Sequence, residues 1–168
     1  MPLSPEGREA QPRGGGVGAA DTPDPQRYQA ALALLHDHLE GSVAHEAFVQ
    51  TVEFDPSIPR WYVRFGCDGR DAATIYFDLH QRSLHHEVYF LPDPRYRHVD
   101  VYRLLLQANH QAYGTSASIA PDGELYLTGR TLLEHLDAAE LDRVIGSIYT
   151  YTERWFPVVA RLAFQRPD

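Results

Sequence analysis

The sequence predicts an α+β fold of order α-β-β-β-α-β-β-α, with a mainly antiparallel five-stranded sheet and packed helices. Three observations carry this. Between Arg60 and Phe90 apolar and polar residues alternate in three successive runs, the period of half-buried strands. Two runs at helical spacing, one before those strands and one after them, place helices on either side. A second strand pair and a long apolar helix then close the chain, so strands are grouped by short turns rather than separated by helices, the mark of an antiparallel sheet.

The elements follow in order. From Gln26 to about Glu40, Tyr28, Ala31, Leu32, Leu35 and Leu39 recur at helical spacing before Gly41. Ala47 to Phe54 offers a short strand, interrupted afterwards by Pro56 and Pro59. Arg60 to Phe65 sets Trp61, Val63 and Phe65 against Tyr62 and Arg64, and Cys67-Asp68-Gly69-Arg70 makes a turn with a glycine where positive φ is easiest. Thr74 to Leu79 sets Ile75, Phe77 and Leu79 against Thr74, Tyr76 and Asp78. After a turn at His80-Gln81-Arg82, Leu84, His86, Val88 and Phe90 oppose His85, Glu87 and Tyr89.

Pro92-Asp93-Pro94 ends that meander, and Val99 to Tyr113 reads as a helix with Gly114 just past its end. Thr115 to Ala120 and Leu125 to Thr128 flank the turn sequence Pro121-Asp122-Gly123-Glu124. Asp137 at the N-cap with Glu140 at N3 starts the last helix. Its apolar residues, from Leu141 to Leu162, cover about 180°, wider than the ~100° stripe that one sheet requires, so a second partner is expected. Pro157 should kink this helix.

The 168 residues suit one domain with tails. Residues 1–25 carry Pro2, Pro5, Pro12, Pro23, Pro25 and Gly14-Gly15-Gly16-Val17-Gly18 with almost no large apolar side chain, so a disordered tail is expected there. The folded domain is expected over 26–164, with a short tail at 165–168.

Composition excludes several functions. A net charge of −8 opposes a nucleic-acid footprint. No window of about 20 apolar residues predicts a membrane span, and the N-terminus lacks the apolar stretch of a secretory signal, so a cytoplasmic protein is expected. Cys67 is the single cysteine, which excludes an internal disulfide and any cysteine-based zinc cluster. All 15 basic residues are arginine, so neither a Walker A loop nor a Schiff-base lysine can be built.

The stretch DLHQRSLHHEVYF, residues 78–90, gathers three histidines and two carboxylates. Strand alternation divides it: His85 and His86 point to opposite faces, so the doublet is not a ligand pair. His85 and Glu87 share the other face at the i, i+2 spacing of two ligands, and Asp78 on the preceding strand is expected on that face as well. A cross-strand polar cluster is expected there, the alternative being a small-molecule or metal-responsive site on the Asp78, His85 and Glu87 face, for which zinc needs a third protein ligand beside His85 and Glu87. His86 is expected inside, hydrogen-bonded and part-buried. Cys67 has no nearby histidine, Ser116 lacks the second glycine of a nucleophile elbow, and His36 and His38 stand on different faces of their helix and are expected at the surface. No catalytic residue, metal or cofactor is assigned.

Two surfaces are candidates for a protein partner. One is the non-core sheet face with Tyr62, Arg64, Tyr76, Asp78, His85, Glu87, Tyr89 and Tyr126, since tyrosine among charges is the composition of polar yet adhesive interfaces. The other is the pair of edges of the last helix, with Tyr149 and Phe156 on one side and Tyr151 and Val158 on the other.

The stretches Trp61-Tyr62-Val63-Arg64-Phe65, Gln81-Arg82-Ser83-Leu84-His85, Leu125-Tyr126-Leu127-Thr128-Gly129-Arg130 and Glu140-Leu141-Asp142-Arg143-Val144-Ile145-Gly146-Ser147-Ile148-Tyr149 resemble the actinobacterial branch of the YbjN-domain family of bacterial sensory transduction regulators. The resemblance covers about Gln26 to Phe164, and LYLTGR and ELDRVIGSIY are its most specific parts. It implies a fold like that of type III secretion chaperones, no established reaction or cofactor, and a non-enzymatic role in handling another protein, as a homodimer that binds extended client segments. Fold analogy alone does not fix function.

Overall fold

The structure, a computed structural model, describes residues 24–166. The expectations for the tails fall almost wholly outside these residues. Helix α1 spans Pro25–His45, strands β1 to β4 span Val49–Asp55, Arg60–Cys67, Arg70–Leu79 and Ser83–Leu91, helix α2 spans His98–Asn109, β5 and β6 span Thr115–Ile119 and Leu125–Leu132, and helix α3 spans Ala138–Phe164. The class is α+β as expected, but the sheet has six strands, not five, in the order β1-β2-β3-β4-β6-β5. Every neighbouring pair is antiparallel.

The additional strand is β1, paired along its length with β2. It is an edge strand with a register shift between Val49 and Thr51, so both Gln50 and Thr51 are exposed and its alternation is blurred. In the other strands the alternation holds. Trp61, Val63, Phe65, Ile75, Phe77, Val88, Leu125 and Leu127 are fully buried, and they pack with Leu35 and Leu39 of α1, Val101 and Leu105 of α2, and Leu141, Val144, Ile145 and Ile148 of α3. All three α-helices therefore cover one face of the sheet, and among the described residues no helix packs on the other.

The helix ends follow local chemistry. The Asp24 carboxylate accepts hydrogen bonds from the amides of Gln26 and Arg27, with Pro25 at the first helical position. Gly41 does not stop α1, which runs on to His45 because the buried Ser42 hydroxyl donates to the Leu39 carbonyl at 2.6 Å and sits in the core. Helix α2 ends earlier than expected, at Asn109, whose side chain accepts from the Ala117 amide at 2.7 Å and donates to its carbonyl at 3.0 Å. The end of α2 is thereby tied to β5. Asp137 caps α3 through the Glu140 amide at 2.7 Å, while the Glu140 side chain turns to Thr131 and Arg143 instead of closing the capping box.

Helix α3 continues through Pro157 as one 27-residue element. Its wide apolar arc finds its second partner inside the molecule. Tyr149 stacks on Phe48 at 4.2 Å, Tyr151 stacks on Trp155 at 4.5 Å and accepts a hydrogen bond from the Tyr113 amide, and Phe156 meets Phe90 edge-on and lies under the Arg70 guanidinium at 4.9 Å. The β2–β3 turn closes on this helix. Gly69 does not adopt positive φ there; among the described glycines only Gly114 and Gly123 do. Its role is proximity, since a Cβ at Gly69 would stand 3.0 Å from Pro157 Cγ, and the neighbouring Asp68 amide donates to Glu153 at 2.6 Å.

Candidate protein-binding surface

The uncovered sheet face is built from the alternate residues of six strands. Antiparallel register arranges them in rows. One row reads Asp55, Arg60, Asp78, His85, Arg130, and the next reads Glu53, Tyr62, Tyr76, Glu87, Thr128, Ser116. Beyond Glu87 on the same strand, Tyr89 pairs with Tyr126 and Tyr126 with Ser118. All eight residues expected on this face, Tyr62, Arg64, Tyr76, Asp78, His85, Glu87, Tyr89 and Tyr126, stand on it, half-buried or exposed.

The charged row runs acidic, basic, acidic and then to the two basic residues His85 and Arg130, and it is partly satisfied within the chain. Arg60 grips Asp78 with two hydrogen bonds, Nε to Oδ1 at 2.5 Å and Nη2 to Oδ2 at 2.9 Å, a geometry that holds the guanidinium charged well above its ordinary range. His85 lies 3.1 Å from the Ser83 hydroxyl, and its ring is 4.1 Å from that of His80. Burial, followed by the positive charge of Arg130, lowers its pKa. Asp78 is thus engaged by Arg60, while Glu87 is exposed, and among the described residues no group of three or more His, Cys, Asp or Glu side chains is placed to hold a metal ion.

The tyrosines form two edge-to-face pairs. Tyr62 and Tyr76 have ring centroids 5.4 Å apart, and Tyr89 and Tyr126 are 5.5 Å apart. Such pairs are rigid and amphipathic, with apolar ring faces and hydroxyl tips. The Tyr126 hydroxyl donates to Glu124 Oε2 at 2.9 Å, which pushes its pKa up to about 12. Burial raises that of Tyr89, and the charges of Glu124 and Asp122 add to the effect.

The helix candidates lie on the opposite side of the sheet. Tyr149, Tyr151 and Phe156 are half-buried and make the contacts described above, while Val158, further along the same helix, is 47% exposed. Sequence reasoning missed three contributors to the open face. Arg60 and Arg130 share the alternation of Tyr62 and Tyr126 and were legible from it, whereas Glu124 belongs to a turn and its link to Tyr126 appears only in three dimensions.

On the core side His86 is 2% exposed, with Nε2 2.8 Å from the Thr115 hydroxyl and Nδ1 without a partner. Burial first, and the charge of Arg143 second, lower its pKa to about 4. The ring lies against Gly129, which is paired with both His86 and Thr115, and a Cβ there would collide with the imidazole and with the Gly114 carbonyl. The glycine of LYLTGR is therefore required by close approach. His36 is not simply a surface residue: its ring packs edge-on to Phe54 at 4.3 Å and to Trp61 at 5.2 Å, while His38 reaches Asp142 at 2.6 Å.

Comparison with known proteins places this architecture. An uncharacterized protein of Mycobacterium leprae is 33% identical over 135 residues, 80% of this chain and 72% of the relative. An uncharacterized protein of Mycobacterium tuberculosis H37Rv is 32% identical over 85 residues, 51% of this chain and 46% of that relative. Among solved structures, a chain of the HopA1–SchA chaperone–effector complex superposes with a TM-score of 0.53 at 11% identity, covering 77% of this chain and 97% of that one. A chain of the ExsC–ExsE complex superposes with a TM-score of 0.51 at 15% identity, covering 78% and 96%. These two share the fold. Residues 74–161, from β3 into α3, match the YbjN profile, described as "Putative bacterial sensory transduction regulator". With that profile spanning half the chain and the Mycobacterium leprae relative covering most of it, the chain belongs to the YbjN family.

Proposed function

We propose that this protein is a non-enzymatic, chaperone-like adaptor that binds another protein, acts in the cytoplasm, and uses the open sheet face to hold an extended segment of its client. The observation that carries this reading is the one-sided packing. Three helices cover one face of a six-stranded sheet and leave the other with two tyrosine pairs set among charges. A face intended only for solvent needs no paired aromatic rings, whereas tyrosine is a residue interfaces favour. The shared fold with a chaperone–effector complex supports the same reading. No helix of the described residues is long and apolar enough to cross a membrane.

We propose further that the protein is a homodimer, with the second copy at β5. This strand is a sheet edge, and Ile119 on it and Leu106 on the adjacent α2 are exposed, so two copies can meet about a two-fold axis. Light scattering at tens of micromolar should give twice the monomer mass, and a monomer would count against it.

The client reading is tested by capture. The immobilised protein should retain a discrete partner from cell lysate, and the Tyr89→Ala, Tyr126→Ala double variant should lose it with circular dichroism and melting temperature unchanged. Equal capture by the variant would remove the sheet-face assignment.

A further inference from the structure

We propose that Glu87, with Tyr76, Tyr89 and Tyr126 around it, is a seat for a guanidinium group, so that the client segment presents an arginine to this face. The proposal rests on the reading that the open face holds polypeptide, and it adds the chemistry that the face recognises.

The molecule uses this chemistry twice internally. Arg60 is held by the Asp78 carboxylate while its guanidinium carbon stands 5.6 Å from the Tyr76 ring centroid. Arg143 is held by the Glu140 carboxylate through Nε and Nη2 while it lies 4.3 Å over the Tyr113 ring. In both places a carboxylate supplies charge and hydrogen-bond acceptors, and a tyrosine supplies the negative face of its ring.

Glu87 also has tyrosines beside its carboxylate but no cation of its own, the guanidinium near Tyr76 being engaged by Asp78. Tyr76 is its direct cross-strand neighbour, Tyr89 stands two residues along the same strand, and Tyr126 is paired with Tyr89. The charge of Glu87 is felt at the Tyr126 hydroxyl. Yet the exposed Glu87 carboxylate makes no ion pair or hydrogen bond with any described residue. The basic side chains of the face are directed elsewhere: Arg60 to Asp78, and Arg64 to Gln50 at 3.3 Å. Arg130, diagonal to Glu87 across β4 and β6, forms no ion pair with it.

Charge complementarity favours a basic occupant over an acidic or apolar one. Glu124 accepts from the Tyr126 hydroxyl, Glu87 lies two residues from Tyr89 on the same strand, the nearby Arg70 guanidinium donates to the Tyr89 and Phe90 carbonyls, and the whole chain carries −8. A guanidinium fits better than an ammonium, because its planar fork can stack on a tyrosine ring while donating two hydrogen bonds to one carboxylate.

Two acetylated nine-residue peptides of alternating threonine and valine test this, one with a central arginine and the other with citrulline, its uncharged counterpart. Amide and tyrosine ring signals are followed by NMR as each peptide is titrated at pH 7. The arginine peptide should shift Glu87, Tyr89 and Tyr126. Its affinity should fall by about three- to thirtyfold on change to citrulline, which removes both the ion pair and the ring contact, and by up to about fivefold on Glu87→Gln, which removes only the ion pair. Equal shifts of this face by both peptides would overturn the guanidinium seat and leave the polypeptide-binding reading standing. No shift on this face with either peptide would overturn both. Binding of the arginine peptide that survives Glu87→Gln unchanged would also overturn the seat.

Discussion

Replacing His86 by glutamine should remove a pH dependence of stability built into the core. His86 is 2% exposed, and its pKa is lowered from 6.5 to about 4 by burial and, secondly, by the nearby Arg143 charge, with Glu140 acting in the opposite sense. The folded protein therefore prefers the neutral ring, with Nε2 hydrogen-bonded to the Thr115 hydroxyl and Nδ1 without a partner. The unfolded chain binds a proton more readily, so this contribution is complete above pH 6.5 and is lost as pH falls toward 4. Between pH 7.5 and pH 5.0 the loss is about 2 kcal/mol, reaching about 3 kcal/mol near pH 4. For a domain of this size that is a fall in melting temperature of roughly 4–8 °C by pH 5.0. Calorimetric melts of parent and His86→Gln at both pH values measure it. Glu140, held low by Arg143, gives up its share below its ordinary value of 4.5, and His85 contributes a smaller change of the same sign as His86. Both are present in the two proteins, so the comparison isolates what His86 adds, its coupling to them included. Parallel losses in parent and variant would refute the assignment of a neutral, buried His86.

Other substitutions probe the same framework. Gly129→Ala drives a methyl into the Gly114 carbonyl and the His86 ring, so it should cost at least about 3 kcal/mol in urea unfolding, whereas Gly146→Ala, whose Cβ meets nothing within 4 Å, should be neutral or stabilising. Asp78→Ala removes the grip on a part-exposed Arg60 and should cost only about 1 kcal/mol, since both partners keep access to water. Asn109→Ala should cost about 2 kcal/mol and raise hydrogen exchange at the Ala117 amide, because two hydrogen bonds link α2 to β5.

Most of the open face was legible because strand alternation is a rigid rule. Once Trp61, Ile75 and Val88 are assigned to the core, Tyr62, Tyr76 and Glu87 must project from the other side. The same rule placed His86 inside and His85 outside. It worked poorly for β1, where a register shift at a sheet edge breaks the period. Helix lengths were harder to read, since the end of α2 is set by Asn109 reaching across to Ala117. The glycine at position 69 is explained by Pro157, nearly ninety residues away in sequence. The wide apolar arc of α3 also looked the same from sequence whether it met another molecule or the chain's own Phe48 and Phe90.

The central claim, that the helix-free sheet face receives the client, is tested most directly by photo-crosslinking in cells. A benzophenone amino acid is placed at Thr128, in the middle of the open face, and in a second strain at Arg103, on α2. The account predicts a single crosslinked product of discrete mass from position 128, abolished by Tyr126→Ala, and no such product from position 103. A client product from position 103 with none from position 128 would contradict it.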